Sequence, residues 1–221
     1  MTLNDIKDLY REYHVPLHII HHMKKVAMVA RFIAHSINQK EGNGIVDVEI
    51  VEKGGLLHDF LKICDLKEID IEALSEEYSG KVRDFWKKLI EDFKDVSHEQ
   101  AEKKILLDRG EKELANLVSK SGYKALFEAN PLDRPGTLEE KVLFYADKRV
   151  LHDQIVPLKK RLSDGAERYK SIGKQDQKEW PAIFQLEGEI CEKAGISPEE
   201  ISESSLKSAD DPFQAEPRQQ N

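Results

Sequence analysis

Residues 54–62 read GGLLHDFLK, and this stretch decides how the chain folds around it. It belongs to a predicted helix that Asp47 can cap and that runs to about Ile63. Each of the two adjacent glycines costs a helix about 1 kcal/mol relative to alanine, so their presence indicates that another backbone passes unusually close. Such an approach would let the short side chains of His58 and Asp59, which follow the glycines, reach an ion shared with a neighbouring segment.

A helical period dominates the sequence around this stretch. Between residues 16 and 40 apolar residues recur at steps of three and four, which predicts a helix with one buried stripe. Pro16 suits the first turn of that helix, and the glycines at 42 and 44 end it in a turn. The residues of the stripe are Ile19, Ile20, Met23, Val26, Ala27, Ala30, Ile33, Ala34 and Ile37.

The remainder of the chain predicts further helices. Ser97 can cap a helix over 98–109, and a capping box at 137–140 opens a long helix through Leu151 that Pro157 should bend or break. No segment alternates as strands do, so the predicted fold class is all-α, a compact single-domain helical bundle. The other predicted helices are 70–79, 80–94, 111–121, an amphipathic stretch around 176–194 and a short helix from the capping box at 197–200.

The composition limits the classes of function. The chain has 221 residues, 39% of them hydrophobic, which is enough for one domain with a sizeable core. Its net charge of -8 and its pI near 5.6 argue against a general nucleic-acid-binding surface and against a basic membrane-binding patch. A local basic pocket that holds an anion is compatible with this charge.

The sequence carries no sign of export. Residues 1–5 lack a basic and then apolar signal pattern, and no run approaches the roughly 18 apolar residues that a membrane span needs. Cys64 and Cys191 match no paired spacing, which favours free thiols in a reducing cytosol. We therefore expect a cytoplasmic protein, with a disordered tail over 207–221 because few apolar residues lie there.

Candidate metal ligands lie in three helical segments. His22, the pair His58 and Asp59, and Asp147 offer two imidazoles and two carboxylates. This set suits a divalent metal of intermediate softness such as manganese, iron, cobalt, nickel or zinc, and it points to a hydrolase. His18 and His22 stand at i and i+4, a spacing that could also clamp a metal on one helix.

Three motifs together carry a family resemblance. His22 followed by MKKVA, GLLHDFLK at 55–62 and YADKR at 145–149 resemble, in order and spacing, the HD-domain metal-dependent phosphohydrolase superfamily. The resemblance prefers His22 to His18 as a ligand and leaves His18 as a pocket or core residue. It implies that one metal is bound by His22, His58, Asp59 and Asp147.

The same resemblance suggests the domain boundaries. It implies an HD-type helical phosphohydrolase domain over residues 1–206. The core of this domain is expected at about 15–165, and a C-terminal helical extension at 166–206.

Lys62 and His98 are candidate catalytic residues beside Asp59. Lys62 follows His58 by one predicted helical turn, which places an ammonium where the charge of a transferring phosphoryl group develops. His98 opens the helix that Ser97 caps, and it is expected to contact substrate phosphate or to donate a proton.

The predicted number of metal ions rests on the absence of a histidine downstream of His98. Two-metal branches of the superfamily that this chain resembles usually supply one more histidine downstream of the position of His98. Here no histidine lies between His98 and His152, and Ser121 and Gly122 stand where it would be expected. The sequence therefore favours one tightly bound metal, leaves room for a second, weakly held ion, and argues against dioxygen chemistry at a two-iron centre.

Two charged motifs near Asp147 have less specific interpretations. Lys148 and Arg149 are expected either to bind substrate phosphate or to form a solvated charged face. The second His-Asp dipeptide, His152 and Asp153, is expected to be turned away from Asp147 on the helix and to bind no metal.

Taken together, the residues and the resemblance predict a metal-dependent phosphohydrolase. It would cleave a small phosphoester, such as a nucleotide, by attack of metal-bound water. The alternatives are a nucleotide phosphodiesterase, a non-catalytic module that binds metal or nucleotide, and a metal-free helical scaffold. The expected partner is a small phosphorylated substrate, without nucleic acid or membrane, and the chain could form a homodimer.

Overall fold

The long helix α2 (Leu17–Glu41) is the axis against which the other main helices pack. The computed structural model describes residues 1–65, 78–128, 134–170 and 180–206, and of residues 168–170 it describes the backbone only. The other helices are α1 (Leu3–Glu12), α3 (Val48–Leu57), α4 (Gly80–Asp92), α5 (His98–Asp108), α6 (Lys112–Val118), α7 (Leu138–Lys148), α8 (Leu158–Lys170) and α9 (Trp180–Ala194). Short 3₁₀ turns lie at Lys62–Asp65, Tyr123–Phe127 and Pro198–Glu200.

The helices α3, α5 and α7 begin where the sequence provides capping side chains. Asp47 accepts a hydrogen bond from a backbone N–H of α3, and Ser97 does the same for α5. Thr137 and Glu140 form a reciprocal capping box at the start of α7. These caps satisfy backbone donors that the first helical turn leaves unpaired, and they fix the starts of the helices that carry the candidate site residues.

The core consists of two apolar clusters, which meet different parts of the length of α2. One cluster joins α2 to α7 and α9 through residues such as Ile33, Phe144 and Ile190. The other joins the first half of α2 to α1, α3 and α4 through residues such as Met23 and Trp86. Because a fully buried large apolar side chain stabilises a fold by about 1.5–3 kcal/mol, both halves of α2 contribute to stability.

The paired glycines of α3 confirm the predicted close approach of another backbone. A Cβ atom placed on Gly55 would lie 2.5 Å from the Cα and 2.7 Å from the backbone nitrogen of Ala27 in α2. A Cβ on Gly54 would lie 2.6 Å from a methyl group of Leu117. The absence of a side chain at Gly55 lets α3 lie directly on α2, five residues beyond His22 in that helix, and its absence at Gly54 leaves room for Leu117 of α6.

The all-α prediction is confirmed, but two helix ends are corrected. The helix that Asp47 caps ends at Leu57, not near Ile63, and the helix predicted to run through Leu151 ends at Lys148. Beyond it a hairpin pairs β1 (Val150–Leu151) with β2 (Gln154–Ile155) in antiparallel register. The turn uses His152 in the left-handed region, with φ 58°. Strands of two residues are too short to show the alternation by which strands are predicted.

Some predicted segments lie outside the described residues. These are most of the helix at 70–79, the start of the amphipathic stretch at 176–194 and the tail at 207–221. In the described part of the chain, no helix combines the length and the apolar character needed to cross a bilayer.

Candidate metal centre

Four side chains predicted from the sequence as ligands converge at one place. His22 lies in α2, His58 is the first residue after α3, Asp59 follows it, and Asp147 lies in the last turn of α7. The Nε2 atom of His22 is 3.1 Å from Asp147 Oδ1 and 3.9 Å from Asp59 Oδ2. The Nε2 atom of His58 is 3.5 Å from Asp147 Oδ1 and 3.9 Å from Asp59 Oδ2.

Backbone carbonyls orient both imidazoles. The Nδ1 atom of His22 lies 2.7 Å from the carbonyl oxygen of His152, and that of His58 lies 2.8 Å from the carbonyl oxygen of Gly55. A carbonyl accepts hydrogen bonds only, so each Nδ1 must carry the proton and donate it. The lone pair of each Nε2 is therefore directed at the two carboxylates, as in histidines that bind metal.

The chemistry of these donors fits a divalent cation. His58 Nε2 is buried and has no hydrogen-bond partner among the described residues, which is an unfavourable state unless something else binds it. Ligand atoms of His22, His58 and Asp59 all lie within 4.8 Å of one another, and Asp147 Oδ1 approaches both imidazole nitrogens. Ligands about 2.0–2.2 Å from one ion are separated by about 3–4.4 Å, a range that includes the 3.1–3.9 Å between the imidazole nitrogens and the carboxylate oxygens.

Burial and neighbouring charges shift the pKa values of the two carboxyl groups in opposite directions. Burial raises the pKa of Asp147, but the Lys148 ammonium outweighs it and holds the pKa well below its usual range. Desolvation also raises the pKa of Asp59, and the charges of Lys62 and His98 outweigh it in the same way. Both carboxylates are therefore ionised at neutral pH and able to bind a cation.

A second group of charges surrounds Asp59. His98 Nε2 lies 3.0 Å from Asp59 Oδ1, and His98 Nδ1 lies 2.6 Å from Asp65 Oδ2. The Lys62 ammonium lies 3.3 Å from Asp65 Oδ2 and 3.9 Å from Asp59 Oδ1. The structure thus brings all three predicted catalytic residues together, and Lys62 reaches the site from the 3₁₀ turn after α3, not from a continuation of the helix.

Sequence reasoning missed Asp65 and Glu102. Asp65 stands three residues after Lys62, but its role depends on the unpredicted 3₁₀ turn. Glu102 is fully buried one turn beyond His98 in α5, and its Oε1 accepts a hydrogen bond of 2.9 Å from the backbone N–H of Leu61. Burial raises the pKa of Glu102 well above its usual range. The sequence does carry one signal for Glu102: it stands four residues after His98, a spacing that places both side chains on the same face of a helix.

A cavity of about 1100 Å³ contains the site. Ligand pockets commonly span about 300–1,000 Å³, so this cavity has room for more than a phosphate group. Besides the four candidate ligands, its lining includes His18, Lys62, Asp65, His98, Lys148 and His152.

Three further residues singled out in the sequence, His18, Lys148 and His152, lie at the cavity. His18 is exposed at the cavity, and Lys148 is buried in its wall, where its ammonium contacts Asp147 and donates to the carbonyl of Ser121 at 3.0 Å. His152 contributes its backbone carbonyl to the orientation of His22, a role that the side-chain pattern did not suggest.

Arg149 does not line the cavity, which corrects its predicted role as a substrate contact. It is buried, and its guanidinium donates hydrogen bonds to the carbonyls of Val156, Pro198 and Ile201 and to the hydroxyl of Tyr145. Arg149 therefore has a structural role.

The charge of His98 predicts a pH dependence of stability in the metal-free protein. Burial and the nearby Lys62 lower the pKa of His98, but hydrogen bonds to Asp59 and Asp65 outweigh them and raise it to about 10. A raised pKa stabilises the fold fully below the ordinary value of 6.5, and this contribution is lost as the pH rises through about 10.

We therefore expect the unfolding free energy of EDTA-treated protein to exceed that of His98→Gln most at pH 6.5. The difference should shrink by on the order of a few kcal/mol toward pH 10, because one pKa unit corresponds to about 1.4 kcal/mol. Urea unfolding of both proteins between pH 6.5 and pH 10 measures this difference in unfolding free energy. A difference that stays constant with pH would contradict the charged state of His98.

Comparison with known proteins gives one match. The family model described as HD domain matches residues 19–150, more than half of the chain, and this range includes the four candidate ligands together with Lys62 and His98. No curated protein and no solved structure matches the chain at a significant level.

Proposed function

The chain belongs to the HD domain family, whose members are in general metal-dependent hydrolases, and on this premise we propose that it cleaves a small phosphoester. The observation that carries the proposal is the buried Nε2 of His58. It faces two carboxylates and has no hydrogen-bond partner in the described part of the chain. A nitrogen in this state is best explained as a metal ligand.

The proposed metal is one divalent ion held by His22, His58, Asp59 and Asp147. Two imidazoles and two carboxylates suit manganese, iron, cobalt, nickel or zinc. When bound, such an ion lowers the pKa of a coordinated water molecule toward about 7 and polarises a phosphoryl oxygen.

The surrounding side chains support phosphoryl transfer. Lys62 places an ammonium beside Asp59, where it would offset negative charge on the equatorial oxygens of the transferring group. His98, held between Asp59 and Asp65, can carry a proton on each ring nitrogen and would protonate the leaving oxygen. Lys148 neutralises Asp147 and keeps that carboxylate ionised in the cavity wall.

The cavity volume of about 1100 Å³ supports a substrate of nucleotide size. A screen of phosphomonoesters, cyclic nucleotides and dinucleotides, with manganese, cobalt, nickel and iron supplied separately, tests the proposal. A monoesterase always releases inorganic phosphate, whereas a phosphodiesterase need not, so product analysis separates the two. Stoichiometric metal and tight nucleotide binding without turnover of any compound would replace the hydrolase by a binding module.

Replacing Lys62 by methionine is expected to slow turnover and to leave metal binding intact. The ammonium acts on charge that develops in the transition state, so kcat should fall by about 10²–10³-fold, as when one such donor is removed from other enzymes. Steady-state kinetics and metal analysis of the same preparation measure both effects.

The matched control is Lys104→Met, which removes an exposed lysine on α5 whose ammonium lies over the ring of Phe93. This variant should keep the kcat of the unmodified protein. Equal kcat values for the two variants would show that Lys62 does not stabilise the transition state.

A further inference from the structure

We propose that residues 197–206, which lie beyond the part of the chain that the HD domain family model matches, position a ligand of the metal centre. Glu203 is the positioning residue in this segment, and it acts on His22 through the hairpin of β1 and β2. The inference rests on the proposed metal site and adds a residue that contacts neither metal nor substrate.

The orientation of the His22 ring depends on the hairpin of β1 and β2. The carbonyl of His152, in the hairpin turn, accepts the Nδ1 hydrogen bond that fixes the ring of His22. His152 has a φ of 58°, a left-handed conformation that costs a non-glycine residue about 1 kcal/mol or more. The direction of this carbonyl, and hence of His22 Nε2, therefore requires contacts that keep the turn in place.

Glu203 forms a bridge between the hairpin and α2. Its Oε1 accepts a hydrogen bond of 3.0 Å from the backbone N–H of Ile155 in β2. Its Oε2 lies 2.6 Å from the ammonium of Lys25, three residues after His22 in α2. One carboxylate thus ties the strand beside the turn to the helix that carries the ligand.

Residues 197–206 are themselves attached to the rest of the fold by hydrogen bonds and by apolar packing. The guanidinium of Arg149, at the start of the hairpin, donates to the carbonyl of Pro198 at 3.0 Å and to that of Ile201 at 3.2 Å. The side chains of Ile201 and Leu206 are buried in the same apolar cluster as α7 and α9. The segment is therefore anchored at points on both sides of Glu203, so the carboxylate is held where the hairpin needs it.

The test is manganese binding to metal-free protein, measured by the EPR signal of free Mn²⁺ during titration. Groups that orient a ligand commonly change metal affinity about 10–100-fold when removed, and Glu203 acts one contact further out. We therefore expect Glu203→Ala to weaken Mn²⁺ binding about threefold to tenfold. Glu203→Gln keeps an oxygen that can accept from Ile155 and should bind Mn²⁺ nearly as the unmodified protein does.

The matched control is Glu199→Ala, an exposed glutamate in the same segment. It should leave the dissociation constant unchanged. Thermal unfolding with and without Mn²⁺ gives a second readout, because a ligand raises stability according to its affinity. Glu203→Ala should show a smaller Mn²⁺-induced rise in Tm than Glu199→Ala.

Two results would overturn the inference. One is equal Mn²⁺ affinity in Glu203→Ala and Glu199→Ala. The other is a lower Tm of metal-free Glu203→Ala with an undiminished Mn²⁺-induced rise, which would make Glu203 a purely structural residue. In both cases the proposed metal site stands, whereas failure of the unmodified protein to bind Mn²⁺ or another divalent metal removes the site and the inference together.

Discussion

Asp59→Asn will lose its metal and with it the hydrolysis of phosphoesters. The substitution removes an anionic ligand that lies 3.9 Å from both imidazole nitrogens, and an amide oxygen is a weaker ligand for a divalent ion. It also removes the negative charge that His98 contacts at 3.0 Å. We expect bound metal to fall from about one ion per chain to near zero and the rate to fall about 10³-fold or more.

Elemental analysis and initial-rate measurements on the same protein, purified without a histidine tag, test this expectation. The chain offers a matched control in its second His-Asp dipeptide, because Asp153 is exposed in the hairpin turn. Asp153→Asn makes the same chemical change and should keep both metal and rate. If Asp59→Asn also keeps both, the proposed mechanism is wrong.

Gly55→Ala will destabilise the protein although alanine is the better helix former. Alanine should gain about 1 kcal/mol in helix propensity, but its Cβ would lie 2.5 Å from Ala27 Cα and 2.7 Å from Ala27 N. Both of these atoms belong to the backbone of α2, so the clash can be relieved only if the two helices move apart. We expect a net loss on the order of 2 kcal/mol in the unfolding free energy of metal-free protein.

Urea unfolding measures this loss, and Gly188→Ala is its control. Gly188 lies in α9, and a Cβ there would meet nothing within 4 Å. This variant should gain up to about 1 kcal/mol from helix propensity alone. Equal gains in the two variants would show that the fold does not require the close approach of α2 and α3.

The sequence predicted the helical class because that class depends on local spacing, and it indicated the candidate ligands through short motifs that resemble one known family. Apolar steps of three and four residues predict α2, and paired glycines predict its close contact with α3. Three motifs in the order of one known family identify His22, although His18 and His21 stand beside it. These signals need no knowledge of how distant segments pack.

The parts that the sequence did not predict depend on that packing. The hairpin after Lys148 has strands of two residues, so its carbonyl contact with His22 has no periodic signal. Arg149 follows the Asp147 motif and suggests a phosphate contact, but the end of α7 places it against backbone carbonyls of the C-terminal segment. The supporting roles of Asp65 and Glu102 arise from a 3₁₀ turn and from the position of α5 beside it.

The balance of charges around Asp59 and Asp147 has an electrostatic consequence for what enters the cavity. The carboxylates of Asp59, Asp65 and Asp147 are opposed by the cationic side chains of Lys62, His98 and Lys148, and Glu99 adds a further carboxylate 3.5 Å from His98 Nδ1. A bound divalent ion would turn this nearly balanced cluster positive, in a chain whose overall charge is -8. On the proposed function, a phosphate group would supply compensating negative charge, and the acidic exterior would not prevent its capture because the attraction acts at short range within the cavity.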